Sequence, residues 1–329
     1  MNISISISIK KAGALLALAL AAHGGAWAQA DRMLKFVVPF PAGGGGDRIA
    51  RTMQPALEAE LQQTVIIENK SGAGGFIGTA HVARAAPDSN TVVFGIGSTF
   101  GTAPAYFEHL PYDVRADFTP ITLIGTQPLM LTVRADLPAR NLQELIKLAK
   151  SKPGGLTFAS LGDGSAHRLA AELLQLETQT KMLHVPYKGT GPALIDIAGG
   201  TVDMMFVDYS SSAPLVQAKK LRILGAAGPQ RVPTLPDVPT LSEQGVPVDA
   251  LAWFAVYAPK GLPAAEMARL NRAFVKAIRS EEFQKRFAEL GGTPDGSSPE
   301  QLKTFAESQV VKWAQVMQRA GIARDKTNF

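Results

Sequence analysis

The sequence predicts an α/β protein of two domains joined by two crossover strands. Apolar strand-like runs alternate with helix-period segments from Phe36 to Leu224. The junctions from strand to helix recur as loops of glycine and hydroxyl residues. Strand-like runs around Gly125 and Pro128, and a later one over Leu251 to Ala258, stand where the chain would pass between domains. A length of 329 residues agrees, being too long for a single small core.

The first unit is FVVPFPAGGGGDRIAR, Phe36 to Arg51. Phe36-Val37-Val38 reads as a buried strand, and Gly43 to Gly46 as the turn after it. Asp47 reads as an N-cap for a helix whose Ile49, Met53, Leu57 and Leu61 recur every fourth residue. Strand, glycine loop and helix start together present backbone N–H groups and a positive dipole end to an anion. A second strand, Thr64 to Glu68, leads through Asn69-Lys70-Ser71-Gly72-Ala73-Gly74-Gly75 into a helix from Phe76 to Ala85. A third, Thr91 to Gly95, is followed by Gly97-Ser98-Thr99. Ile121 to Ile124 and Leu129 to Val133 are two strand-like runs that form the first crossover.

The second domain opens with Asn141 capping a helix over Leu142 to Lys150. Its strands are expected at Leu156 to Ala159, Met182 to Val185, Val202 to Val207 and Leu221 to Leu224. Leu156 to Ala159 runs into Ser160-Leu161-Gly162-Asp163-Gly164-Ser165 and a leucine-rich helix. Met182 to Val185 runs into Tyr187-Lys188-Gly189, and Val202 to Val207 delivers Asp208. After the proline-rich loop Pro229 to Pro247, Leu251 to Ala258 is the second crossover. Ser298-Pro299-Glu300-Gln301 is a capping box for a final helix with Leu302, Phe305, Trp313, Val316 and Met317 inward. The expected division is 29–126 with 254–329 as a discontinuous first domain, onto which the C-terminal helices pack back. Residues 127–253 form the second domain.

Lys10 and Lys11 precede the apolar run Ala12 to Ala22, and Ala26-Trp27-Ala28 follows as an A-x-A site. This is the layout of a secretory signal over residues 1–28, cleaved after Ala28 or at the alternative Ala30. The mature protein is then expected in the periplasm. Losing the two lysines lowers the net charge from +5 to +3. That charge and the lack of a basic run interleaved with aromatics argue against a nucleic-acid partner. Zero cysteines exclude disulfides, thiolate metal sites and cysteine nucleophiles.

A search for catalytic chemistry finds little. The glycine loops fit neither the P-loop pattern nor G-x-G-x-x-G, and no serine lies in G-x-S-x-G. His81, His109, His167 and His184 are scattered without metal-ligand spacing, so no metal or cofactor is expected. Asp47, Asp163 and Asp208 sit at helix starts or strand ends and serve as caps or ligand partners. Ser98, Ser160 and Ser165 are turn formers or ligand partners, and Lys188 a solvated loop lysine or a ligand clamp.

PFPAGGGGD (Pro39 to Asp47), ENKSGAGGFIG (Glu68 to Gly78), HVPYKGTGPALIDIAGGTVDMMF (His184 to Phe206) and LPDVPTLSEQG (Leu235 to Gly245) resemble segments of one known family. So do WFAVYAPKGLP (Trp253 to Pro263) and KWAQVMQRAGI (Lys312 to Ile322). The chain resembles the periplasmic solute-binding proteins of tripartite tricarboxylate transporters, the Bug family. The resemblance implies a two-lobed type II periplasmic-binding-protein fold closing on one small organic carboxylate. It implies that the first-domain loops grip the carboxylate, partly through ordered water, at Phe40, Ala42, Gly43 and Asp47, at Ala73 and Gly74, and at Ser98 and Thr99. Ser160, Gly164, Ser165 and Asp208 would face them. Gly46 stands where the family often has threonine, and Arg168 where it often has histidine, with His167 shifted one place.

The resulting expectation is an exported, monomeric, non-enzymatic receptor that delivers a carboxylate to integral membrane permease subunits. The alternatives are a sensory co-receptor for a membrane kinase, or a periplasmic hydrolase using Ser98 or Ser165. Arg168 falls in the first turn of a helix, where a cation opposes the dipole. It either is solvated, pairs with Glu172 at i+4, or reaches across the cleft to a second carboxylate. The last case makes the ligand a dicarboxylate, or an aromatic one spanned by Phe40 or Phe100.

Overall fold

Leu34, Phe36 and Val38 alternate with Val37 along strand β1 (Met33–Val38), and the two sets pack into different cores on opposite faces of the sheet. The computed structural model describes residues 33–88 and 90–327, and the expected signal segment lies outside them. Chain order continues as α1 (Gly45–Leu61), β2 (Thr64–Asn69), α2 (Phe76–Ala83) and β3 (Thr91–Ile96). A π-helical turn, Ser98–Thr102, runs into α3 (Ala103–Tyr106). Then come β4 (Phe118–Arg134), α4 (Leu142–Ser151), β5 (Thr157–Ser160), α5 (Ala166–Thr178), β6 (Leu183–Pro186) and α6 (Thr190–Ala198). The chain closes with β7 (Met204–Val207), α7 (Tyr209–Gln217), β8 (Leu221–Ala227), β9 (Leu251–Pro259), α8 (Ala264–Ile278), α9 (Glu281–Glu289), β10 (Thr293–Pro294) and α10 (Pro299–Arg319).

Among the described residues all the strands join in one sheet of order β2-β1-β3-β9-β4-β7-β5-β6, with β8 and β10 also paired to β4. β1 pairs in parallel with β2 and β3, and β5 in parallel with β6 and β7. The two parallel halves are the two lobes, and antiparallel β4 and β9 join them.

The two strand-like runs expected at the first crossover are one 17-residue strand. Its first part, Phe118 to Pro128, pairs with β9, and Met130 to Val133 pair with β7. Gly125 and Pro128 do not break it. A side chain at Gly125 would stand 2.5 Å from the Thr293 carbonyl of β10, so glycine there permits close strand approach. Pro128, which lacks an N–H, lies opposite Leu251, where β9 begins.

Helix α1 forms because Ile49, Met53 and Leu57 lie on one face and bury against β1 and β3. α8 and α9 pack on that same core through Leu270, Phe274, Phe283 and Phe287. α10 behaves differently. Its capping box forms as the sequence indicates, and Leu302 packs in the first lobe. Trp313, Val316 and Met317 instead join the second-lobe core with Phe158 and Leu169. The C-terminal helix therefore spans both lobes rather than folding back on the first alone.

Candidate functional site

The βα loops of the two lobes face one another across a cleft of about 1040 Å³. In parallel sheets the carboxyl ends of the strands leave helix N-termini pointing at such a crevice. The first lobe supplies Phe40, Gly45, Gly46, Gly74, Ser98 and Tyr106, and the second Gly162, Gly164, Ser165, His167 and Asp208. The crossover segments contribute Gln127, Leu129, Trp253 and Phe254 to its floor, and Trp313 of α10 adds a further apolar surface.

In the first lobe the two helix starts at the cleft, those of α1 and α2, have no side-chain cap among the described residues. α1 has Gly44 as N-cap and α2 has Gly75, and neither receives a side-chain cap. The N–H groups of Gly45, Gly46 and Asp47 thus lack partners within the helix and stand at its positive end. The next loop is backbone that mostly needs glycine: Gly72, Gly74 and Gly75 have φ of +136°, +65° and +100°. Ala73, at +46°, carries strain of about 1 kcal/mol within the same loop. Backbone of this kind can hold an anion through its N–H groups.

The Asp47 carboxylate turns inward, 3% exposed, instead of reaching the cleft. It accepts from the Gly43 N–H (2.9 Å), Arg51 Nε (2.9 Å) and Asn69 Nδ2 (3.1 Å). Burial pushes its pKa up, but these hydrogen bonds outweigh burial and hold it below the usual carboxylate range. Asp47 is a brace that shapes the glycine loop. Gly43 spends its N–H on that brace, and the Gly44 N–H bonds the Pro41 carbonyl at 3.3 Å.

In the second lobe the starts of α5 and α7 are filled, whereas α6 begins at Gly189 without a side-chain cap. Ser165 caps α5 by accepting from the Arg168 N–H at 3.3 Å and donates to the Gly162 carbonyl at 2.7 Å. Asp208 caps α7: Oδ1 accepts from the Ser211 N–H (2.8 Å) and Ser210 Oγ (2.6 Å), and Oδ2 from Ser211 Oγ (2.9 Å). Arg168 does not enter the cleft. Its guanidinium pairs with Asp163 and, at 3.3 Å, with Glu172, so the expected reach to a second ligand carboxylate is not what the structure shows. His167, the next residue along α5, does line the cleft. Burial lowers its pKa to about 4, against the opposing pull of the Asp208 charge, so the imidazole is neutral at pH 7.

Of the expected ligand residues, the structure brings Phe40, Gly74, Ser98, Gly164, Ser165 and Asp208 to the cleft wall. Ala42, Gly43, Asp47 and Ala73 belong to the loops behind it. Thr99 is 0% exposed and donates to the Ile96 carbonyl at 3.2 Å. Lys188 is exposed outside the cleft lining. Phe100 is buried and stacked on Tyr257 at 4.0 Å between ring centroids, so it lines no ligand. Ser160 is also 0% exposed, and its Oγ lies 2.6 Å from His184 Nε2. That serine–histidine pair is sealed from the cleft, whereas the Ser165 hydroxyl is committed to its own loop.

Sequence reasoning passed over Arg48, Tyr106, His167, Trp253 and Trp313 as cleft residues. The signal for His167 was available: a cap at Ser165 places it in the first turn of α5. The aromatic residues carried none, because a buried core ring and a cleft ring share one helical or strand pattern.

Among the described residues no group of three or more metal-ligating side chains gathers, and no helix is long and apolar enough to cross a membrane. A family model described as the tripartite tricarboxylate transporter family receptor matches residues 49–322. BugT of Bordetella pertussis is 35% identical over 292 residues, 88% of this chain and 90% of that protein. A Pseudomonas sp. protein from the tcbD-tcbE intergenic region is 38% identical over 290 residues, 87% of this chain and 86% of its own. Among solved structures, R. palustris Rpa4515 with adipate aligns at TM-score 0.80 and 32% identity, covering 90% of this chain and 99% of that one. MatC from Rhodopseudomonas palustris with bound malate aligns at 0.74 and 33% identity, covering 87% and 99%. Bare helix starts, a two-lobed sheet joined by β4 and β9, and these likenesses agree: the chain belongs to the tripartite tricarboxylate transporter receptor family.

Proposed function

We propose that this protein is a periplasmic receptor, cleaved near Ala28, that binds a small organic carboxylate in the interlobe cleft and delivers it as a monomer to membrane permease subunits. The observation that carries the reading is the pair of uncapped helix starts, α1 and α2, facing the cleft from one lobe. A carboxylate supplies acceptors to the N–H groups of Gly45, Gly46 and Asp47 at the start of α1 and needs no catalytic side chain, while the Phe76 N–H at the start of α2 is already bonded to the Ala73 carbonyl. Structures similar to this one were solved with adipate and with malate, which supports the same ligand class.

The middle of the cleft is apolar, with Phe40, Phe76, Leu129, Trp253, Phe254 and Trp313 on its walls. It suits a carboxylate with an apolar body, aromatic or aliphatic. A route to a dicarboxylate preference through Arg168 is not supported by its pairing with Asp163 and Glu172, although the adipate and malate of similar structures are dicarboxylates. Affinity then comes from closure of residues 29–126 and 254–329 onto 127–253 about β4 and β9, which removes water from a charge already held by fixed dipoles. A thermal-shift screen of aliphatic and aromatic carboxylates tests this. A ligand at 100 times its dissociation constant stabilises by about 2.7 kcal/mol and is recovered chemically unchanged. No shift with any carboxylate, or consumption of the ligand, overturns the proposal.

A further inference from the structure

The two ends of the cleft differ in what they can still bind. On the first-lobe side the helix starts are uncapped. On the second-lobe side α5 and α7 are capped by Ser165 and Asp208, so their orphan N–H groups are partly used and the α7 dipole already faces a carboxylate. Arg168, the cation nearest that wall in sequence, is held by Asp163 and Glu172. Asp208 has no cationic partner among the described residues, and its oxygens accept from Ser210 and Ser211 alone. An ionised carboxylate has about four acceptor sites, so acceptor capacity remains.

Two further polar atoms, in residues that line the cleft, are buried and lack a partner among the described residues. His167 Nδ1 is buried with no hydrogen-bond partner. Trp253 is 1% exposed, and its Nε1 also lacks a partner; it stands 2.9 Å from where a Cβ on the cleft residue Gly97 would lie. In a neutral imidazole one nitrogen donates and the other accepts, and no protein partner at Nδ1 fixes which. The far wall therefore carries both an anionic acceptor, Asp208, and an imidazole, His167, whose tautomer no protein group fixes among the described residues.

Resting on the carboxylate reading above, we infer that Asp208 and His167 form a subsite for a hydrogen-bond donor, so the preferred ligand carries an ammonium or hydroxyl group at the end opposite its carboxylate. A second carboxylate at that end would meet Asp208 as a like charge with no cation to offset it. An ammonium would gain a charge-assisted bond, and a hydroxyl a neutral-to-charged one.

The test is calorimetric titration of the mature protein with hexanoate, 6-hydroxyhexanoate, 6-aminohexanoate and adipate, which differ only at the far end. The hydroxy or amino acid should bind at least about tenfold more tightly than adipate. Preference for the amino acid over the hydroxy acid assigns the effect to charge, and parity assigns it to donation alone. Asp208→Asn keeps the α7 cap, since asparagine caps as well as aspartate, and should narrow the gap to adipate by about tenfold. Adipate binding most tightly, all four binding equally, or an unchanged ratio in Asp208→Asn overturns the inference while leaving the carboxylate reading intact. No binding by any of the four overturns both.

Discussion

The loops at Gly43–Gly46 and at Gly162–Ser165 do the same topological job, each carrying a strand into a helix at the edge of the cleft. They finish it oppositely. The first ends in glycine with no cap, and its one carboxylate, Asp47, is turned inward to brace the loop. The second ends in a serine that caps its own helix, beside a carboxylate, Asp163, held by Arg168. A bare helix start leaves N–H groups free for negative charge, whereas a capped one has spent part of them on its own chain. Under the proposed function this difference gives the cleft a direction, with anion capture on one lobe and discrimination on the other.

The largest expected effect comes from filling the bare end. A Cβ at Gly45 meets no atom within 4 Å, so Gly45→Val adds bulk to the cleft without disturbing the fold. Carboxylate affinity should fall about a thousandfold, near 4 kcal/mol for several charge-assisted hydrogen bonds, with little change in Tm. Gly74→Val is a poorer probe, because φ of +65° strains any side chain there. Retained affinity in Gly45→Val would move the anion site elsewhere.

The other lobe should announce itself through pH. His167 has a folded pKa of about 4, below its unfolded value near 6.5. Between those values the unfolded chain holds the extra proton, so stability rises with pH across that window and is complete above it. Between pH 7 and 4 this histidine should account for about 2–3 kcal/mol of lost stability. Urea unfolding of the native protein and of His167→Gln at both pH values isolates its share. Identical pH slopes would mean that the imidazole is solvated.

A smaller effect tests how the lobes meet. A Cβ at Gly164 would lie 2.5 Å from the Tyr106 ring of the opposite lobe. Gly164→Ala should weaken ligand binding about tenfold and leave a larger radius of gyration at saturation. Adding Tyr106→Ala should restore compaction. A variant that closes normally would show that this contact plays no part in closure. The smallest change is expected at Arg168, whose partly exposed pairs with Asp163 and Glu172 are worth about 1 kcal/mol of stability. In Arg168→Ala, hexanoate and adipate should lose affinity equally, and a loss confined to adipate would return the guanidinium to the cleft.

The same contrast explains what could be read in advance. Glycine loops announce themselves in sequence because no other residue tolerates φ near +100°, as at Gly75. The Ser298 capping box and the α1 stripe are equally local, and both form as the spacing predicts. Arg168 was harder, because pairing with Glu172 and reaching the cleft suit the same position, and only the placement of Asp163 decides. Asp47 reads as a cap by position, yet its brace depends on Asn69, 22 residues away. The α10 stripe shows that Trp313 is inward but not which lobe receives it, since one amphipathic face serves either core.

Under the proposed function the bare backbone at the start of α1 captures a negative charge. Calorimetric titration with hexanoate and with hexanamide, its uncharged counterpart of nearly the same shape, addresses that claim alone. The structure predicts that the amide binds at least about a hundredfold more weakly, because it offers one oxygen and no charge to the N–H groups of Gly45 and Gly46. Equal affinity for the two would contradict it.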